Sequence, residues 1–219
     1  MAKPLFIVIE GIDGSGKSSL VKNLVVHMQE QGRKAVSFCE PTKKASGMYI
    51  RRFLRGEFEL SKKEQLAAFL QDRHVSVAEN VLPALAAEKT VVLDRYYYST
   101  AAYQASDEYP AQRILQTNLQ ENFPLPNYLF YLELPPEEAI RRISGRNSEK
   151  ERFEELSQLQ RIAADYAKIL PPWVEKLDAR STQEQLLTQL WRIVSGNVEK
   201  NVKNLRGFGE SASEKIKYP

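Results

Sequence analysis

The sequence predicts an α/β fold with three layers, in which a five-stranded parallel sheet lies between two layers of helices. Short apolar runs alternate with longer segments of helical periodicity along most of the chain, which is typical of strand–helix–strand units. The first apolar run, residues 5–9, contains no polar residue, as expected for a parallel strand that is buried on both faces. Crossovers between such strands are right-handed and cover the sheet with helices.

Five segments have the apolar pattern of strands: residues 5–9, 35–39, 90–93, 128–134 and, with the weakest pattern, 173–178. A glycine-rich loop follows the first of them. After that loop, apolar residues recur at helical spacing, namely Leu20, Val21, Leu24, Val25 and Met28. Gly32 is predicted to end this first helix, because glycine readily adopts the left-handed conformation of a helix terminus.

Later helices are predicted from the residues at their ends. Ser61 and Glu64 have the spacing of a capping box that begins a long helix. Pro83 should break or kink that helix, because proline lacks the N–H group that a helix interior uses. Ser181 and Glu184 have the same capping spacing and are predicted to begin a last amphipathic helix.

Composition restricts the class of protein. The chain has 219 residues, of which 42% are hydrophobic and 27% charged, as is typical of one globular domain. We predict that this domain covers residues 1–196 and that a polar tail follows over 197–219. No apolar run is long enough to span a membrane. Cys39 is the single cysteine and cannot form an internal disulfide, so we expect a cytoplasmic protein. The net charge of +3 is too small to indicate nucleic-acid binding.

Residues 11–18 read Gly-Ile-Asp-Gly-Ser-Gly-Lys-Ser and match the P-loop pattern between a predicted strand and a predicted helix. Glycines let the loop turn its N–H groups toward phosphate oxygens. Lys17 is expected on the β- and γ-phosphates of ATP, and Ser18 is expected to ligate Mg²⁺. The predicted ATP-binding residues are Gly11, Gly14, Ser15, Gly16, Lys17, Ser18 and Ser19.

The P-loop does not by itself define the reaction. A switch GTPase would carry Asn-Lys-x-Asp, which the sequence lacks, and large motor or transporter ATPases need a longer chain. A small kinase is therefore favoured, and its second substrate has to be recognised by residues downstream. Asp94 and Arg95 follow a predicted strand, where Arg95 could bind a phosphate and Asp94 could order a Mg²⁺-bound water. A structural Asp–Arg pair is the alternative.

A cluster of cations near residues 142–154 predicts a short lid, in which Arg142 and Arg146 would stabilise the negative charge of the transferring phosphoryl group. The alternative is a solvated basic face. Since the P-loop itself contains no arginine, the charge has to be supplied from elsewhere, which favours the lid.

Several motifs together resemble one family. They are residues 10–18, Glu-Pro-Thr at 40–42, Phe-Leu-Gln-Asp-Arg at 69–73, Asp-Arg-Tyr at 94–96 and Ser-Thr-Ala-Ala-Tyr-Gln at 99–104. From about residue 4 to 194 the chain resembles thymidylate (dTMP) kinase, a P-loop kinase of the nucleoside monophosphate kinase type. The resemblance implies the P-loop kinase fold, ATP and dTMP as substrates, dTDP and ADP as products, Mg²⁺ as cofactor and a homodimer.

The resemblance also implies roles for residues. Phe69 would stack on thymine, Arg73 would donate to a thymine carbonyl, and Tyr103 would pack under the deoxyribose. The implied dTMP-binding residues are Asp13, Glu40, Pro41, Arg51, Phe69, Arg73, Arg95, Tyr103 and Gln104. The implied catalytic residues are Lys17, Arg95, Arg142, Arg146 and Asp13, and the implied metal-binding residues are Ser18 and Asp94.

One position departs from the family pattern. Many members have Arg-Glu-Pro where this chain has Cys39 before Glu40 and Pro41, so Arg51 or Lys43 would have to replace the missing arginine. This departure leaves a related kinase, acting on dUMP, dCMP or a nucleoside, as the alternative. A non-enzymatic nucleotide-binding module is a third hypothesis.

Overall fold

The computed structural model describes residues 3–143 and 149–196 of the chain. Its centre is a five-stranded sheet in which every pair of neighbouring strands is parallel. The strands are β1 (Phe6–Gly11), β2 (Ala35–Cys39), β3 (Thr90–Asp94), β4 (Tyr128–Glu133) and β5 (Glu175–Asp178). Their order across the sheet is β2-β3-β1-β4-β5. The predicted fold class is therefore confirmed.

The position of each strand in the sheet explains the strength of its sequence pattern. β1 and β3 lie inside the sheet, and all of their residues are buried. β2 and β5 are the edge strands, and in β5 Leu177 alone is buried. An edge strand is covered on fewer sides and tolerates polar residues. The pattern over residues 173–178 is weak for this reason.

Helices cover both faces of the sheet. Within the described ranges they are α1 (Lys17–Glu30), α2 (Ala45–Leu54), α3 (Lys62–Ser76), α4 (Leu82–Ala86), α5 (Tyr97–Tyr103), α6 (Ala111–Gln120), α7 (Pro136–Ile143), α8 (Glu149–Ile169) and α9 (Gln183–Gly196). α1 packs against α9, whereas α5 packs against α6 and α8. β1 and β3 are parallel neighbours, so the loops that follow them meet at one edge of the sheet, where open α/β sheets bind ligands.

The start of α3 confirms the predicted capping box. The N–H of Glu64 donates to Ser61 Oγ at 3.3 Å, and the N–H of Ser61 donates to Glu64 Oε2 at 2.8 Å. Pro83 is the second residue of α4, and a π-helical segment, Val77–Val81, separates α3 from α4. Pro83 has no N–H to donate, and the wider π turn just before it changes the helical register at this point.

The start of α9 lies one residue later than predicted. The N–H of Gln185 donates to Thr182 Oγ1 at 3.2 Å, and the N–H of Thr182 donates to Gln185 Oε1 at 3.0 Å. Ser181 belongs instead to the turn after β5, where its N–H donates to the carbonyl of Asp178 at 3.0 Å. The predicted cap by Ser181 and Glu184 is therefore wrong.

Some predictions concern residues that the structure does not describe. The tail, 197–219, and residue Arg146 lie outside the described ranges, and the predicted lid is described only in part. The division into a domain over 1–196 and a tail stays a prediction. Among the helices that are described, none combines the length and the apolar character needed to cross a membrane.

Candidate active site

The P-loop connects β1 to α1 at the carboxyl edge of the sheet. Gly14 has φ +78° and Gly16 has φ +87°, values that favour glycine over residues with a Cβ atom. A Cβ on Gly14 would also lie 3.0 Å from the carbonyl oxygen of Ala139 on α7. Both the backbone conformation and the packing therefore require glycine at position 14.

Lys17 is buried at the start of α1, with its ammonium group directed at the loop. Its Nζ donates to the carbonyl of Ile12 at 2.8 Å and to Ser15 Oγ at 3.4 Å. Burial, and then the charge of Arg95, lower the pKa of Lys17 to about 7. A bound phosphate would supply the negative charge that this buried ammonium group needs.

Ser18 and Asp94, the two predicted metal-binding residues, are in direct contact. Ser18 Oγ donates to Asp94 Oδ2 at 2.5 Å. The other oxygen of this carboxylate, Oδ1, is buried and makes no hydrogen bond with any described residue. Mg²⁺ prefers such oxygen donors and in nucleotide sites is bound by one or two protein groups together with phosphates. The pair therefore fits a magnesium site.

Arg95 lies between the P-loop and α5. Its Nη2 donates to Asp13 Oδ1 at 2.5 Å, and Tyr103 Oη donates to Asp13 Oδ2 at 3.0 Å. The guanidinium carbon of Arg95 lies 4.8 Å from the centre of the Tyr103 ring, within the range of a cation–π contact. Arg95 is thus held from two sides at the mouth of the P-loop.

A cavity of about 1230 Å³ opens beside this arginine. All of the dTMP-binding residues implied by the resemblance line it, namely Asp13, Glu40, Pro41, Arg51, Phe69, Arg73, Arg95, Tyr103 and Gln104. Ser18 and Asp94 line it as well. The structure thus brings residues from the P-loop to the end of α5 around one space, while their individual roles stay predictions.

Arg73 and Glu40 form a buried ion pair at the inner end of the cavity. Glu40 Oε2 accepts from Arg73 Nε at 2.9 Å and lies 2.8 Å from Nη2, and the Arg73 side chain is 1% exposed. Burial raises the pKa of Glu40 against the opposing charge of Arg73. Asn118 Oδ1 and Thr100 Oγ1 also accept from Arg73, at 2.5 and 2.8 Å. Arg73 has five N–H groups. Its four contacts with described residues use four of them, so one N–H group is left that could donate to a ligand.

Arg51 contacts Cys39, the position at which many family members have the arginine of Arg-Glu-Pro. Its Nη2 lies 3.6 Å from Cys39 Sγ and donates to the carbonyl of Pro41, while its Nε donates to the carbonyl of Thr42 at 3.3 Å. Burial raises the pKa of the Cys39 thiol, which keeps the thiol neutral beside the guanidinium. The guanidinium of Arg51 therefore lies next to the position at which the family pattern has an arginine and this chain has the smaller Cys39.

Asp72 fixes the turn that carries these carbonyl groups, and the sequence did not assign it a role. It accepts from the N–H of Thr42 at 2.7 Å, from Thr42 Oγ1 at 2.6 Å and from Ser46 Oγ at 2.6 Å. Its position next to Arg73, within the motif at residues 69–73, could have indicated a role. No sequence pattern indicated a role for Asn118, because a single asparagine within an amphipathic helix is common.

We expect Gly47→Ala to lower the free energy of unfolding by about 2 to 3 kcal/mol. A Cβ at Gly47 would lie 2.1 Å from the carbonyl oxygen and 2.5 Å from the nitrogen of Thr42. Because both are backbone atoms, the turn or α2 has to move. Gly196→Ala is the matched control, since no described atom lies within 4 Å of its added Cβ. Urea denaturation measures both, and an unchanged midpoint for Gly47→Ala would contradict the close approach.

Arg142 is the predicted lid arginine that the structure describes. Its Nη1 donates to the carbonyl of Ala179 at 3.0 Å and to that of Gly14 at 3.4 Å, and its Nε lies 3.4 Å from Glu138 Oε1. These contacts place the guanidinium on the P-loop backbone, on the side of α7. The other predicted lid arginine, Arg146, is outside the described residues.

Comparison with known proteins identifies the family. The family model described as thymidylate kinase matches residues 9–190, a span that includes the P-loop and every described residue of the cavity. The chain belongs to the thymidylate kinase family. A thymidylate kinase of Leptospira interrogans, serogroup Icterohaemorrhagiae serovar copenhageni, is 48% identical over 197 residues, which cover 90% of this chain and 97% of the relative. Another, from Leptospira borgpetersenii serovar Hardjo-bovis, is 47% identical over 195 residues, which cover 89% and 95%.

The fold agrees with a solved structure of the thymidylate kinase family. The thymidylate kinase of Candida albicans, described as having broad substrate specificity and a novel structural element, superposes with a TM-score of 0.74 at 25% identity. The match covers 92% of this chain and 94% of that one. As a thymidylate kinase family member the chain is an ATP-dependent kinase, and the predicted P-loop kinase fold is confirmed.

Proposed function

We propose that this chain transfers the γ-phosphoryl group of ATP to dTMP, producing dTDP and ADP for dTTP synthesis. The observation that carries the proposal is the position of Arg95. It lies at the junction of the P-loop with a cavity lined by every residue that the resemblance assigns to dTMP. An arginine at this junction can bind the phosphate of an acceptor whose base lies in the cavity.

The arrangement suits phosphoryl transfer without a covalent intermediate. A phosphate oxygen of dTMP attacks the γ-phosphorus of ATP in line. Because this oxygen is already anionic at neutral pH, no general base is needed. Lys17 binds the β- and γ-phosphates and Arg95 binds the acceptor phosphate, so the two cations hold the reacting groups together.

Mg²⁺ is proposed as the cofactor, held by Ser18 with Asp94 behind it. The contact of their oxygens at 2.5 Å and the unpartnered Oδ1 of Asp94 among the described residues support this assignment. When bound, Mg²⁺ neutralises part of the phosphate charge. Arg142 and Arg146 are proposed to add positive charge from the lid, and Arg142 already contacts the P-loop.

Base recognition is proposed to depend on Phe69, Arg73 and Gln104. Phe69 offers a half-buried ring in the cavity, and Arg73 retains one N–H group for a carbonyl oxygen. Stacking and one directional hydrogen bond are what a pyrimidine offers to a protein. Tyr103, fixed by Asp13, is proposed to lie under the deoxyribose.

A substrate panel tests the proposal. ADP release is measured with ATP and Mg²⁺ against dTMP, dUMP, dCMP, dAMP and thymidine, and we expect the highest kcat/KM with dTMP. A higher value with another acceptor would favour the alternative of a related nucleotide or nucleoside kinase. Two observations support considering that alternative: Cys39 departs from the family pattern, and the Candida albicans relative is described as having broad substrate specificity. ATP binding without transfer to any acceptor would favour a binding module.

We expect Phe69→Ala to raise the KM for dTMP about tenfold, with kcat changed much less. Loss of one base-stacking ring removes ~1–3 kcal/mol of binding and leaves the phosphate contacts in place. Phe58→Ala is the matched control, because Phe58 packs on Tyr49 and Phe53 rather than in the cavity. Steady-state kinetics with dTMP varied measures both variants. An unchanged KM in Phe69→Ala would show that the ring does not stack on the base.

Two further properties are proposals. We propose a homodimer through exposed apolar side chains of α2 and α6, because Met48 and Tyr49 on α2 and Leu119 on α6 are 44 to 46% exposed and exposed apolar side chains favour a protein interface. Sedimentation equilibrium tests this, and a monomer at micromolar concentration would contradict it. A cytoplasmic location, predicted from the single cysteine, stays a prediction.

A further inference from the structure

A buried carboxylate, Glu10, lies behind the proposed acceptor site without lining the cavity. It is the penultimate residue of β1 and its side chain is fully buried. Strand interiors rarely contain a carboxylate, because burying a charge costs free energy unless hydrogen bonds compensate it. In the sequence Glu10 directly precedes the P-loop residues 11–18, but neither the proposed phosphate binding nor the proposed metal binding uses it.

Glu10 accepts hydrogen bonds from two other elements. The N–H groups of Tyr96 and Ser99 donate to its Oε1 at 2.8 and 3.2 Å. Ser99 Oγ and Tyr166 Oη donate to its Oε2, the latter at 2.9 Å. Four donors and no acceptor surround the carboxylate, which is the pattern that an ionised carboxylate satisfies. Burial raises the pKa of Glu10, and the hydrogen bond of Ser99 and the charge of Arg95 oppose that shift.

Two of these bonds lead to Arg95. Arg95 has φ +68°, a left-handed conformation that costs a residue with a Cβ about 1 kcal/mol. The next residue in the chain is Tyr96, and its peptide N–H donates a hydrogen bond to Glu10. At the other end of the side chain, Arg95 Nη1 donates at 3.2 Å to Ser99 Oγ, which in turn donates to Glu10.

We infer that Glu10 is a positioning residue for the acceptor phosphate: it holds the backbone of Arg95 in its left-handed conformation through Tyr96 and orients its guanidinium through Ser99. This inference rests on the proposed function, since it assigns the acceptor phosphate to Arg95. Glu10 itself does not contact the substrate. Its effect on binding has to pass through Arg95.

The test is a double-mutant cycle on nucleotide binding, measured by calorimetry on the full chain. Glu10→Gln keeps the shape of the side chain but removes its charge and replaces two acceptor positions by donors. We expect the Kd for dTMP to rise about tenfold in Glu10→Gln, and the Kd for ATP to change less than twofold. In an Arg95→Ala background, the same substitution should leave the Kd for dTMP unchanged, because the route through Arg95 is absent.

Tyr166→Phe is the matched control. It removes a donor from the same carboxylate together with the 2.8 Å contact of Tyr166 Oη with Ser99 Oγ. The bonds of Glu10 to Tyr96 and Ser99 and the bond of Arg95 to Ser99 Oγ stay in place, so the melting temperature should fall while the Kd for dTMP stays within twofold. If Glu10→Gln does not fold, Ser99→Ala removes the hydroxyl that joins Glu10 to the guanidinium of Arg95 and contacts Tyr166, but keeps the N–H bond of residue 99 to Glu10. It should raise the Kd for dTMP and leave the Kd for ATP within twofold.

Three results would overturn the inference: an unchanged Kd in Glu10→Gln, an equal loss in the Arg95→Ala background, or an equal loss in Tyr166→Phe. Failure of the proposed function is distinguishable, because it appears in the wild-type protein as a lack of dTMP binding. In that case the same cycle is measured with the nucleotide that the wild-type protein accepts.

Discussion

Replacing Lys17 by alanine is expected to lower kcat by at least about a thousandfold, equivalent to ~4 kcal/mol of transition-state stabilisation. Lys17 is the buried cation of the P-loop, and its ammonium group donates to the carbonyl of Ile12 at 2.8 Å. In the proposed reaction this charge lies on the phosphoryl group that is transferred. Rapid-quench measurement with saturating ATP and dTMP gives the chemical step directly.

Two further variants separate charge from packing. Lys17→Met keeps most of the volume of the buried side chain and is expected to be as inactive as Lys17→Ala. Lys89→Ala, in the exposed turn between α4 and β3, removes a lysine far from the loop and should retain full activity. Activity of Lys17→Met near that of the wild-type protein would refute the role of the charge.

Replacing Arg95 by alanine is expected to lower kcat/KM for dTMP about a thousandfold, while the KM for ATP changes little. Arg95 contacts Asp13, Ser99 and Tyr103 through three directional interactions, so its guanidinium is oriented before the acceptor binds. Loss of such a preorganised cation affects both acceptor binding and the alignment of the attacking oxygen. Initial-rate kinetics with each substrate varied in turn measures the two effects separately.

Arg95→Lys is the informative companion of Arg95→Ala. Lysine keeps the charge but lacks the planar fork that binds a phosphate through two parallel hydrogen bonds, so a loss intermediate between those of alanine and wild type is expected. If both variants raised the KM for ATP rather than that for dTMP, Arg95 would belong to the donor side. The assignment of the cavity to the acceptor would then be wrong.

The local parts of the site could be predicted from the sequence. The P-loop is contiguous, and its glycines are required by the φ values of the loop itself, so residues 11–18 reveal it without knowledge of the fold. The capping box at Ser61 is equally local and confirmed. The cap of α9 shows the limit of this reasoning. Two overlapping capping patterns lie at 181–184 and 182–185, and the turn after β5 selects the second.

The inner wall of the cavity could not be predicted in the same way. Arg73 is held by residues 33, 27 and 45 positions away along the chain, and no spacing rule connects them. Arg51 reaches Cys39 because the turn at Pro41 returns α2 toward the end of β2. The sequence allowed Arg51 or Lys43 at this point, and the contact favours Arg51.

The sequence by itself determined the α/β class and the P-loop, because apolar periodicity and contiguous motifs depend on neighbouring residues alone. The residues around the cavity were predicted from the resemblance to the family. The tertiary structure decided which of those residues have free hydrogen-bonding groups and which are already committed. Glu10, which directly precedes the P-loop, shows this most clearly: its partners are Tyr96, Ser99 on α5 and Tyr166 on α8, up to 156 positions away. Hydrogen bonds of this kind depend on how the sheet and helices pack, and no local pattern records that packing.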